Sequence, residues 1–139
     1  MNTVEKRISA RLSLRDPQRE SLNILVKILE NIELSKFERN FSSFCFALAK
    51  GVGKTRLMGS FISYFYLTGR NRHFFVLAPN LTIYEKLKQD FSSQSPKYVF
   101  SEISEFIANR PVIITGDDYE SGKGIRVDDY HLSRTKAFV

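Results

Sequence analysis

No tryptophan occurs in this 139-residue chain, and cysteine appears once. A lone thiol, Cys45, makes neither an internal disulfide nor a cysteine metal cluster. That excludes the disulfide-stapled secreted classes and suits a reducing cytoplasm. No apolar run approaches the roughly 20 residues that span a bilayer. The start, Met1-Asn2-Thr3-Val4-Glu5-Lys6-Arg7, lacks the apolar stretch of a secretory signal. Acids are missing from one long stretch. From Arg39 through Tyr84 there is no Asp or Glu, while Arg39, Lys50, Lys54, Arg56, Arg70 and Arg72 are all present. Those six cations equal the whole net charge of +6, because the remaining segments balance. Such a field favours phosphate-rich ligands, and it serves equally well as a basic surface that aids solubility.

What the chain does contain is a globular composition. Hydrophobic residues make up 42%, and twelve phenylalanines point to a Phe-rich core. Cys45, inside Phe41-Ser42-Ser43-Phe44-Cys45-Phe46-Ala47-Leu48, reads as a small buried hydrophobe. Residues 1–13 are mixed and polar and read as an N-terminal arm. At Asp16 a helix begins, with Asp16 as the cap and Pro17 in the first helical position, and Leu22, Leu25, Val26, Leu29 and Ile32 recur at helical spacing. Glu33 to Asn40 reads as a loop. A strand over 42–48 leads through a glycine turn into a helix over 54–67, which Thr68-Gly69-Arg70-Asn71 stops. A strand over 73–78 precedes a helix ending near Phe91. A short helix over 100–108 and a third strand over 112–115 follow. Alternating strands and helices of this kind predict an α/β fold with a parallel sheet.

Between the first strand and its helix lies Gly51-Val52-Gly53-Lys54-Thr55-Arg56. Glycines let the backbone turn and bring N–H groups near phosphate oxygens, and the helix start adds partial positive charge. Lys54 is placed to reach the β- and γ-phosphates, and the Thr55 hydroxyl to take a position on Mg²⁺. The full spacing of a phosphate loop asks for glycine at 48, where this chain has Leu48.

Three ordered blocks carry a resemblance. They are Leu14-Arg15-Asp16-Pro17-Gln18-Arg19-Glu20-Ser21-Leu22, Leu48-Ala49-Lys50-Gly51-Val52-Gly53-Lys54-Thr55-Arg56-Leu57, and Phe74-Phe75-Val76-Leu77-Ala78-Pro79-Asn80-Leu81-Thr82-Ile83-Tyr84. Together they resemble the glutamine-bearing first helix, the ATP-binding motif and motif Ia of superfamily-two helicase motors, most closely the helicase subunit of type III restriction enzymes. The resemblance covers about Leu14 to Glu120. It implies an incomplete P-loop, RecA-like parallel sheet with flanking helices over 14–120, then an irregular or truncated tail over 121–139. It also implies ATP and Mg²⁺ as ligands and DNA as partner, and it raises a modification methyltransferase subunit as a second partner. Gln18 would then hydrogen-bond the adenine edge, since a carboxamide both donates and accepts. Without the resemblance, Gln18 is a polar residue in a first helical turn. Pro79, Asn80 and Leu81 would face the nucleic-acid backbone, or form an ordinary strand-to-helix turn capped by Asn80. Lys50 stands where these helicases carry threonine, and it either strengthens anion binding or crowds the loop.

Parts of such a motor are not seen. Asp117 and Asp118 follow Val112-Ile113-Ile114-Thr115-Gly116, but Gly116 separates them from the strand, and a solvated loop is the expected setting. No Asp-Glu-x-His block or second motor domain follows, so the chain is expected to be a truncated or remnant helicase that does not hydrolyse ATP alone and is poorly soluble. Two alternatives stand beside this reading. One is a remnant that binds nucleic acid or a partner without a nucleotide role, and the other is a small P-loop phosphotransferase. His73 and His131 are too isolated to suggest a metal site.

Overall fold

The computed structural model describes residues 2–34, 45–120 and 136–138, with side chains described over 2–31 and 45–118. The chain divides into two compact units, Met1–Tyr64 and Phe65–Val139.

The first unit is helical. Helix α1 (Thr3–Arg11) occupies the segment expected to be an arm. Its start explains why: the Asn2 side chain accepts from the backbone N–H of Val4 at 3.1 Å, and the Glu5 carboxylate accepts from that of Asn2 at 3.2 Å. This reciprocal box satisfies donors that a helix start otherwise leaves bare. Ile8 and Leu12 are buried, and α1 packs against α2 (Asp16–Leu34), which buries Leu22, Leu25 and Val26 on one face. Helix α2 starts one residue earlier than expected, because the Arg15 carbonyl already accepts from Arg19 N–H at 2.9 Å. Arg15 is thus the cap, and Asp16 ion-pairs with Arg19 within the first turn.

The expected strand over 42–48 meets the structure only in part. Residues 42–44 lie outside the described residues, and Cys45–Leu48 are irregular. Cys45 is exposed rather than buried, because the segment enters no sheet that would cover it. Phe46 still packs on Phe61, with ring centroids 5.0 Å apart. Helix α3 (Lys54–Leu67) has the expected bounds. Its end is closed by Gly69 N–H to the Tyr66 carbonyl at 3.0 Å and Arg70 N–H to the Phe65 carbonyl at 3.0 Å.

The second unit holds β1 (His73–Phe75), α4 (Leu81–Phe91), α5 (Ser104–Ala108), β2 (Val112–Ile114), α6 (Gly116–Glu120) and β3 (Lys136–Phe138). Its core is aromatic: Phe91, Phe100 and Phe106 are buried, and Phe100 stacks on Phe106 with centroids 4.3 Å apart. Tyr98 donates to the Phe106 carbonyl at 3.3 Å, and its burial pushes the phenol pKa up to about 12, with Arg110 opposing.

The described residues are mostly helical, and of the incomplete parallel sheet expected from the sequence they hold a narrow three-stranded fragment. β1 and β2 do not pair with each other. Each pairs in parallel with β3, giving the order β1-β3-β2 with His73 and Val112 both opposite Lys136. Residues 136–138, expected to be irregular tail, are therefore a strand. Both outer strands are three residues long, shorter than expected.

Candidate functional site

The site is assembled where α2 meets the turn before α3. Gln18 is only 2% exposed, although it is a polar residue in a first helical turn. Its Oε1 accepts from the backbone N–H of Arg15 at 2.8 Å, and its Nε2 donates to the carbonyl of Gly53 at 2.9 Å. The first bond is the returning half of a capping box, with the carboxamide three residues into the helix reaching back to the cap. The second ties α2 to a residue 35 positions away.

Gly53 begins α3, since its carbonyl also accepts the first helical bond, from Leu57 N–H at 3.2 Å. Two features require glycine there. Its φ is +89°, a left-handed conformation that side chains resist, and a Cβ would lie 2.6 Å from Gln18 Nε2. Gly51 also has a positive φ, +86°, but a Cβ there would meet nothing within 4 Å. Among the described residues, the turn thus presses on Gln18 at Gly53 and leaves room for a Cβ at Gly51.

Around this opening, Lys50, Lys54 and Arg56 are exposed, while Val52 and Thr55 are half-buried. Donor set and shape suit a phosphate chain: turn glycines, a helix start and a cluster of cations, with Lys54 and Thr55 opening the helix. Sequence reasoning had these residues, Gln18 included, but not the bond that joins Gln18 to Gly53.

Pro79, Asn80 and Leu81 are all exposed, and they belong to the second unit. Asn80 caps α4: its side-chain oxygen accepts from Ile83 N–H at 3.0 Å. The backbone turn of these three residues therefore carries a structural cap as well as an open surface.

Asp117 and Asp118 stand in α6, not in a loop. Thr115 N–H and the Thr115 hydroxyl donate to Asp118 Oδ2 at 3.2 and 2.6 Å, and Asp118 N–H donates to Thr115 Oγ1 at 3.3 Å. This is a capping box built on Thr115, and it engages the Asp118 carboxylate within the protein. Asp117 is exposed and accepts a long bond, 3.5 Å, from the Tyr84 hydroxyl. His131 lies outside the described residues.

Comparison with known proteins gives one family. A family model described as type III restriction enzyme, res subunit, matches residues 11–131. Nothing among the curated proteins or the solved structures matches the chain. No described helix is long and apolar enough to cross a membrane.

Proposed function

The chain belongs to the family of type III restriction enzyme res subunits, and from that premise we propose that it is the ATP-binding, N-terminal portion of a DNA helicase or translocase. The observation that carries the proposal is the hydrogen bond from Gln18 Nε2 to the Gly53 carbonyl. It joins two motifs far apart in sequence into one place, and it fixes the residue from which the phosphate-binding helix starts.

Residue roles follow from position. Backbone N–H groups of Gly51, Val52 and Gly53 surround the phosphates, with Lys54 neutralising the terminal ones. Thr55 would hold Mg²⁺ through its hydroxyl, and Arg56 would add charge one residue further on. Mg²⁺ bound there would offset charge on the phosphate oxygens. Gln18 acts first as a positioning residue for Gly53. With both polar atoms of its carboxamide engaged and the residue 2% exposed, an adenine edge would meet Gln18 only once that side chain is uncovered. The narrow β1-β3-β2 fragment is parallel, as the strands of a RecA-like sheet are.

Hydrolysis by this chain alone is not expected. Family members need an acidic strand-end pair and an arginine from a second motor domain, and Asp118 is already engaged with Thr115. Contact of Pro79, Asn80 and Leu81 with a DNA backbone, a methyltransferase partner and a cytoplasmic setting belong to the same proposal.

Titration calorimetry with ATP and Mg²⁺ tests it. The wild-type chain should bind, Lys54→Ala should lose at least a hundredfold in affinity, about 3 kcal/mol, and Gln18→Ala should lose roughly tenfold. A folded wild-type chain that binds no ATP would defeat the nucleotide reading. Salt-sensitive DNA binding by that same chain would then support the remnant alternative.

A further inference from the structure

Helix α1 lies almost wholly ahead of the matched segment, which begins at residue 11. Its charges are segregated. The helix has one acid, Glu5, and that residue is fully buried, accepting from Asn2 N–H at 3.2 Å and from the Asn23 side-chain amide at 2.9 Å. Lys6, Arg7 and Arg11 are all exposed, and Arg7 has a partner within the chain as well. Arg7 and Arg11 stand one turn apart on the same face, about 6 Å along the axis. The other exposed positions of the helix, Thr3 and Ala10, are small.

We propose that this outer face of α1 is an electrostatic docking surface for the phosphate backbone of a nucleic acid, separate from the turn at Pro79–Leu81. Turning the helix's one carboxylate inward leaves Lys6, Arg7 and Arg11 as the charged side chains that α1 itself shows to solvent, the charge complement of a polyphosphate. Arginine favours phosphate because its planar fork makes paired hydrogen bonds. An anionic membrane is the weaker partner, since an interfacial helix needs an open apolar side. That side of α1 is closed: Ile8 is 1% and Leu12 4% exposed. Contacts to phosphate carry no sequence information, so docking through the backbone alone should be independent of sequence.

The test is fluorescence anisotropy of the full chain with labelled DNA duplexes of two unrelated sequences, across a salt series. Lys6→Ala/Arg11→Ala should weaken both duplexes roughly tenfold at low salt and lower the slope of log K against log salt by about 2. ATP titration of this variant should match the wild type. Lys6→Arg/Arg11→Lys should restore binding. Lys27→Ala/Lys97→Ala removes the same charge from other exposed positions and should leave the slope unchanged. The proposal is overturned if the first variant keeps its slope or if the control variant loses as much. It is also overturned if the wild type binds no duplex, including the case where it binds phosphatidylglycerol vesicles instead. Loss of ATP binding by the wild type would count against the nucleotide reading and leave this one standing.

Discussion

Two turns lead from extended chain into a helix, and they solve the same problem in opposite ways. At the start of α4, Asn80 folds its own side chain over the first turn and accepts from Ile83 N–H. At the start of α3 the matching residue is Gly53, which has no side chain to fold, and Gln18 grips its carbonyl from another helix. A side-chain cap fills the space in front of a helix start. A grip from another helix fixes the backbone without a side chain folded over the first turn. The contrast is between a helix start capped by its own residue and one held from a neighbouring helix.

The largest test of this contrast is Gly53→Ala. The added Cβ meets a positive φ and Gln18 Nε2 together, so we expect a loss of about 2 to 3 kcal/mol in denaturant unfolding and no detectable ATP binding. Unchanged stability would mean that the grip is not formed in solution. Next comes the alkaline limb of the second unit. Tyr98 has a folded pKa raised above its unfolded value, so its contribution is complete below about pH 10 and is lost as pH rises through about 12. Stability measured across that window should fall by up to about 2 kcal/mol, and Tyr98→Phe should flatten that part of the decline.

Gln18→Glu sharpens the comparison further. A carboxylate still accepts from Arg15 N–H but has nothing to donate to Gly53, so urea unfolding should show a loss of about 1 to 2 kcal/mol, with ATP affinity falling more than in Asn80 variants. Asn80→Ala should cost about 1 kcal/mol of stability and Asn80→Gly only a few tenths, each with unchanged ATP affinity. An ATP defect in Asn80→Ala would erase the distinction between the two turns. The smallest effect concerns handling. Phe75 and Leu77 are 77% and 76% exposed beside an outer strand, and Phe75→Lys should raise the soluble fraction after expression.

Much of this was legible in the residues, for reasons that differ by element. Helix α3 was readable end to end because glycine and Lys-Thr mark its start and Thr68-Gly69 its stop. Helix α1 was missed although its signal was present: Asn2 and Glu5 stand at the spacing of a capping box. Thr115 and Asp118 carry the same signal, masked by the intervening Gly116. Strands were overextended, since pairing depends on partners remote in sequence and an apolar run does not say which of its residues will pair. The strand at 136–138 had no local signal strong enough to mark it. The candidate site residues were picked out by type and order. The hydrogen bond that unites two of them was not, because nothing in a linear pattern records that a carboxamide and a carbonyl 35 positions apart will meet.

That bond would also make occupancy of the turn before α3 visible from a distance. The Arg15 amide is held by the same carboxamide that holds Gly53. Any ligand that steadies Gly53 must slow the local opening that exposes Arg15 N–H to solvent, by the ordinary linkage between binding and unfolding. Hydrogen exchange at the first turn of α2 is therefore a built-in gauge of what sits in front of α3, readable at a residue that need never touch it.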